Sequence, residues 1–191
     1  MTTPRPRRRR PRGERLALGG GLVLHVRPIR PDDVDALRRG FARLTPEQVR
    51  LRVFHRMNDL SEDIAERLCN VRKEHGAAFV ATDADGEIRA EARIYIGPTP
   101  DRAEFALVVD PALVGQGVGR ALMQRLLDEA RRRRLVEIWG AVLTENAGML
   151  DLAQRLGATR EGVPGEPGLV HVRFDLGDAR VGAAPGGIDR D

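Results

Sequence analysis

The sequence is poor in lysine and cysteine and holds no long apolar run, and each shortage excludes something. Lys73 stands alone against thirty-one arginines in 191 residues. No Gly-Lys-Ser/Thr run occurs, so a P-loop for nucleotide phosphates is excluded. One cysteine, Cys69, leaves no internal disulfide and suits a reducing compartment. The four histidines, His25, His55, His75 and His171, lie far apart and show no metal-ligand spacing with Cys69. No stretch of 18 apolar residues exists, and the basic N-terminus lacks the apolar segment of a secretory signal. A cytoplasmic location is the expectation.

Apolar residues make up 41% of the chain, enough for a folded domain with a real core. The basicity is uneven. Residues 1–15 hold seven arginines and one glutamate, a net +6, whereas the whole chain is +4. The remainder is therefore mildly acidic. The reading is a disordered basic arm over 1–20, one domain over 21–176 and a flexible tail over 177–191. Such an arm can hold a polyanion electrostatically, so nucleic acid is a possible partner through residues 1–15 only. No membrane partner is expected.

Along the chain, "LVLHVRPI" (22–29) alternates as a strand, and 32–44 has Val34, Leu37, Phe41 and Leu44 at helical spacing. Thr45, Pro46 and Gln48 write a capping box, and Ser61 caps a helix over 61–71. Residues 77–97 read as two strands around Asp-Ala-Asp-Gly, with Ile88, Ala90, Ala92, Ile94 and Ile96 on one face. A strand over 103–111 leads into a glycine-rich loop and a helix over about 118–133. Strand 136–143, helix 147–157 and strand 168–176 follow. The order predicts an α+β fold, a mixed sheet flanked by helices.

The loop reads "VVDPALVGQGVGRALM", with glycines at 115, 117 and 119 just before a helix. A dinucleotide fingerprint fails because Arg120 stands where its last glycine belongs. Two readings remain: a tight turn with glycines for backbone fit, or a pyrophosphate site at a helix N-terminus. Arg120, unfavourable against the helix dipole, is explained by a bound anion.

These residues resemble the acyl-CoA-binding motif of the GNAT superfamily of N-acetyltransferases, with Gly117 and Gly119 in place and Val114 where Arg or Gln is usual. "ENAGMLDLAQRLGA" resembles that family's second motif: Asn146 and Gly157 match, while Ala153 replaces a common Tyr and Ala158 a usual Phe. The likeness spans about 22–175, and residues 26–55 with 103–111 are similar to GNAT domains of bacterial protein lysine acetyltransferases. It implies a mostly antiparallel sheet splayed beside the 103–111 strand, with acetyl-CoA as cosubstrate in the gap and no metal. Main-chain groups of Leu107, Val108 and Val109 would meet pantetheine. Val114, Gly115, Gln116, Gly117, Val118, Gly119 and Arg120 would hold pyrophosphate, and Asn146 would line the cofactor.

Acyl transfer to an amine needs an unprotonated nitrogen, and a free lysine titrates near about 10.4, so a base must act at the site. Glu104, opening an apolar strand and sharing a face with Ala106 and Val108, is the expected base, and the resemblance puts a catalytic Glu there. Glu91 is second, with a cross-strand ion pair, from its polar stripe with Arg89 and Arg93, as its other role. The Val109 N–H is the expected oxyanion donor. Tyr95 is the one tyrosine, His55 lines the acceptor entrance or is structural, and Cys69 is core. The activity expected is acetyl transfer to a primary amine, a protein lysine above all. Two alternatives stay open: a non-catalytic acyl-CoA-sensing module with a nucleic-acid-contacting arm, and a small-molecule amine acetyltransferase.

Overall fold

The computed structural model describes residues 13–53 and 59–177. Among them runs one eight-stranded sheet, in spatial order β1-β2-β3-β4-β5-β6-β8-β7. The strands are β1 (Glu14–Ala17), β2 (Val23–Pro28), β3 (Gly76–Thr82), β4 (Ile88–Ile96), β5 (Arg102–Val109), β6 (Glu137–Leu143), β7 (Thr159–Val163) and β8 (Glu166–Asp175). The helices are α1 (Val34–Ala42), α2 (Pro46–Val53), α3 (Glu62–Cys69), α4 (Val118–Arg132) and α5 (Ala147–Arg155).

Each face of the sheet has its own core. On one, α4 turns Val118, Leu122, Met123, Leu126 and Ala130 inward, all fully buried at helical spacing. They meet Phe79, Ala92, Ile94, Phe105, Ile138 and Phe174, with Leu150 and Ala153 of α5 closing the cluster. Full burial of each large aliphatic contributes about 1.5–3 kcal/mol, so α4 anchors the sheet. On the other face α1 and α3 bury Leu37, Ala65 and Cys69 against Val80 and Ile88. Ile88 belongs with Ala90 by simple alternation, yet it packs on the opposite face. Ala81 pairs with Ala90 while Thr82 pairs with Ile88, so Arg89 is an extra residue, and this bulge turns Ile88 over.

The functional consequence of the topology lies between β5 and β6. Their parallel ladder covers only Arg102↔Glu137, Ala103↔Ile138 and Glu104↔Trp139. Beyond Glu104, β5 stays with β4 as far as Val109 and β6 stays with β8 as far as Leu143, so the sheet splits into a V-shaped gap. Gly140 allows the split to start where it does: a Cβ there would lie 2.9 Å from the ring of Phe105, which packs edge-on to Phe174.

One expectation about the chain's margins is corrected. Residues 14–17 are not part of a disordered arm, because β1 pairs antiparallel with Val23–Val26 of β2. Residues 1–12, 178–191 and His55 lie outside the described residues. Strand β7 was missed in the sequence: "TREGV" is exposed along nearly its whole length and shows no apolar alternation, and only its ladder with β8 defines it.

Candidate active site

The site begins where β5 ends. Asp110 is buried, and its N–H donates to the carbonyl of the bulged Arg89 at 2.7 Å. Its Oδ1 accepts the Ala112 N–H at 3.0 Å, capping the 3-10 turn Pro111–Leu113. Its Oδ2 is held by Arg43 of α1 at 3.1 Å and by Arg89 at 3.5 Å. Arg43 also reaches Glu87 and the Ile88 carbonyl. A hydrogen bond from Arg39, with Arg43 beside it, holds the Glu87 carboxyl below its ordinary range. Asp110 thus fixes the start of the loop to both β4 and α1.

The loop's main-chain donors divide into two groups. Val114 and Gln116 spend theirs inside the turn, on the carbonyls of Pro111 and Leu113. That removes both N–H groups from the expected phosphate donors, and the Val114 side chain points outward, 63% exposed. Gly115 and Gly117 sit at φ +80° and +88°, a left-handed backbone that disfavours any Cβ, with open space around each. Ala121 is the first residue of α4 to donate within the helix, to the carbonyl of Gly117. The N–H groups of Val118, Gly119 and Arg120 are therefore left at the helix mouth, with no side-chain cap and no acid in the first turn. Converging donors, the positive end of a helix dipole and glycines that keep side chains away fit a pyrophosphate.

The gap has a main-chain wall. Since the Asp110 N–H turns toward β4, strand alternation turns the N–H and C=O of Val109 and Leu107 into the gap. The same alternation commits the Val108 main chain to β4, which takes it out of the expected pantetheine contacts. Gln48 of α2 donates from Nε2 to the Val109 carbonyl at 3.0 Å. The same side chain completes the expected capping box, accepting the Thr45 N–H through Oε1 at 3.1 Å. Two residues on, Arg50 pairs with Glu145 at 2.5 Å. Helix α2 therefore straddles the gap, tied to β5 on one side and to the β6–α5 loop on the other. Asn146, in that loop, uses Oδ1 to cap α5 through the Met149 N–H at 3.2 Å. A Cβ on Gly119 would meet Leu107, Val109 and Leu152 at 3.5, 3.6 and 3.4 Å, so α4 opens directly over the β5 wall.

Glu104 stands at the vertex of the gap, the last β5 residue paired with β6. It is exposed and makes no ion pair among the described residues. Tyr95 lies opposite it on β4 and Trp139 on β6. Glu91 is 4% exposed, and its partner is Arg93 at 2.6 Å on its own strand, not across the ladder. Glu91 is therefore occupied. Burial pushes the Cys69 thiol up to about 11, helped by the Asp33 charge, so it is no nucleophile at neutral pH. Ala153 is fully buried and brings no hydroxyl to the gap. Among the described residues no cluster of His, Cys, Asp and Glu could hold a metal ion, and no helix is long and apolar enough to cross a membrane.

Asp110 and Arg43 were not singled out by sequence reasoning, and Gln48 was expected only as a helix cap. Asp110 offered a signal, since an Asp just before a Pro is a turn cap; the other two act through contacts 67 and 61 residues away.

Comparison with known proteins agrees with this geometry. The acetyltransferase (GNAT) family profile matches residues 39–158, more than half of the chain. An acetyltransferase of Pseudomonas aeruginosa is 27% identical over 144 residues, 74% of this chain and 77% of that one. Acetyltransferase Pat of Mycolicibacterium smegmatis is 30% identical over 159 residues, 82% of this chain but only 44% of Pat. Among solved structures, the GNAT domain of S. lividans PAT superposes with a TM-score of 0.78 at 28% identity, covering 85% of this chain and 96% of that one. A Salmonella typhimurium protein solved with its cofactor acetyl-CoA shares the fold, with a TM-score of 0.67 at 21% identity over 86% of this chain and 99% of that one. With the split sheet and the uncapped helix mouth already in place, the chain belongs to the acetyltransferase (GNAT) family, the acetyl-CoA-dependent N-acetyltransferases.

Proposed function

We propose that this N-acetyltransferase acts on a protein lysine side chain, by direct attack with Glu104 as general base. The observation that carries the reading is the place of Glu104: an exposed carboxylate with no ion pair among the described residues, at the point where β5 and β6 part. The likeness to Pat and to the GNAT domain of S. lividans PAT supports a protein acceptor.

In this mechanism the pyrophosphate rests on the mouth of α4, against the N–H groups of Val118, Gly119 and Arg120. Gly115 and Gly117 let it approach. The pantetheine arm runs down the β5 wall, with Asn146 on the opposite side. Acetyl-CoA supplies the thioester; the chain supplies the rest. Glu104 takes a proton from the acceptor ammonium, directly or through one water. The nitrogen lone pair forms the C–N bond at the thioester carbon; the C–S bond then breaks, and the extra proton left on the nitrogen passes to the departing CoA sulfur. The oxyanion donor must lie near that carbon. Val109 is five residues from Glu104, roughly 17 Å along a strand that rises about 3.3 Å per residue. Leu107, also turned into the gap, is roughly 10 Å away by the same rise. We therefore assign the oxyanion role to the Leu107 N–H and leave Val109 to pantetheine.

The test is Glu104→Gln. Acetyl-CoA affinity should hold while turnover on a lysine peptide falls about a hundredfold or more, the scale expected for a lost general base. Raising the pH should restore part of the rate, because more of the acceptor amine is then neutral. Wild-type turnover at neutral pH would remove Glu104 from the mechanism. Lys73 is exposed and is the chain's one lysine, so in a Lys73→Arg background acetyl-lysine can come only from the added substrate.

A further inference from the structure

Tyr95, Glu104 and Trp139 form a row across β4, β5 and β6, paired in register, so all three side chains stand on the same face. No other tyrosine or tryptophan occurs in the protein. Tyr95 is 56% exposed, an unusual cost for a large ring on a sheet. Trp139 is half-buried, and His171 of β8 meets it edge-on, with ring centroids 5.1 Å apart at 62°.

The charges around the row are already paired, with one exception. Arg93 is held by Glu91, and Arg102 by Glu137 at 3.3 Å. Arg173, directly across from Trp139, is drawn outward by Glu161 at 3.1 Å and Glu137 at 3.7 Å. Every arginine beside the row has its own carboxylate. Among the described residues, Glu104 is left without a cationic partner, between two aromatic rings.

We propose that Tyr95 and Trp139 flank Glu104 as a subsite that takes the acceptor amine in its charged, alkylammonium form. A cation above an aromatic face is drawn by the ring quadrupole, and a carboxylate between two such rings adds a direct charge pair. The subsite selects a single cationic amine on an unbranched stem, whose methylenes lie along the rings. It disfavours arylamines and hydroxyl acceptors, which bring no positive charge. The row also orders the steps: the ammonium docks first and yields its proton to the carboxylate that bound it. This inference rests on Glu104 facing the acceptor.

The test uses a peptide bearing trimethyllysine, which carries the charge but has no N–H to acetylate. Trp139 is the sole tryptophan, so its fluorescence reports binding directly. A saturable change is expected, with competitive inhibition against the lysine peptide. The uncharged analogue with carbon in place of nitrogen should bind at least tenfold more weakly. Trp139→Leu should raise the KM for the lysine peptide about tenfold or more, with the KM for acetyl-CoA unchanged; Trp139→Phe should restore most of it. Tyr95→Leu, at an exposed position, gives the same reading should Trp139→Leu fail to fold. Equal binding of the charged and neutral peptides, or an unchanged amine KM in Tyr95→Leu, would overturn the subsite. Failure of the base assignment would look different: Glu104→Gln would then keep full turnover while the trimethylated peptide still bound beside the rings.

Discussion

In the proposed mechanism the two ends of β5 serve one reaction with different materials. At its C-terminal end, the loop from Asp110 to Gly119 offers main-chain N–H groups, and its glycines contribute by having no side chain. At its N-terminal end, Glu104 stands between Tyr95 and Trp139, and the contribution is wholly side chain. A main-chain site is damaged by adding atoms, and a side-chain site by removing them. The cofactor end also needs only one contiguous segment, while the acceptor end needs three strands in register.

The largest effect that separates the two ends is expected from Gly117→Glu. Space is open around Gly117, so the variant should fold, losing about 1–2 kcal/mol to the left-handed backbone. Its carboxylate then sits where the phosphates belong. With acetyl-CoA at a hundred times its Kd, ligand linkage supplies about 2.7 kcal/mol, which in a protein of this size raises Tm by roughly 5–10 °C. Thermal denaturation should find that rise abolished in Gly117→Glu. A full rise would remove the loop from the cofactor site.

Asp110→Ala tests the support beneath the same end. It removes the cap on Ala112 and the acceptor for Arg43 and Arg89, at a cost of about 1–3 kcal/mol, measurable by urea denaturation. Acetyl-CoA should bind several-fold more weakly, while trimethyllysine binding near Trp139 stays unchanged. Loss at both ends would mean that they are one mechanical unit rather than two.

The smallest effect is expected from Gly119→Ala. The added methyl meets only ordinary contacts with Leu107, Val109 and Leu152, on a backbone any residue adopts. A helix position that exchanges Gly for Ala gains up to about 1 kcal/mol, so Tm should rise slightly with cofactor affinity unaltered. Weaker binding would mean that the third glycine, like the first two, is there for the ligand.

The contrast between the ends also explains what could be read before the fold was known. The glycine loop, the capping box at Thr45, the Ser61 N-cap and the Asn146 cap of α5 are local arrangements, fixed by neighbours within a dozen residues, and each is where its motif puts it. The triad of Tyr95, Glu104 and Trp139 spans 45 residues and exists only through strand register. Glu104 could be singled out by the resemblance, but not its aromatic flanks. The bulge at Arg89, which turns Ile88 over and presents a carbonyl to Asp110, leaves no mark in an alternating stretch. Strand β7 is defined by its partner rather than its composition.

The parting of β5 and β6 has a consequence for the protein's life in solution. A sheet normally keeps its unpaired strand edges at the rim, where charge or covering segments blunt them. Here two edges face each other in the middle of the molecule, lined by the main chain of Leu107 and Val109 on one side. Any extended peptide that slips past α2 finds a template for strand addition. Helix α2, held across the opening by Gln48 and Arg50, covers that template. Acetyl-CoA bound along the β5 wall in the proposed mode would cover the same edge.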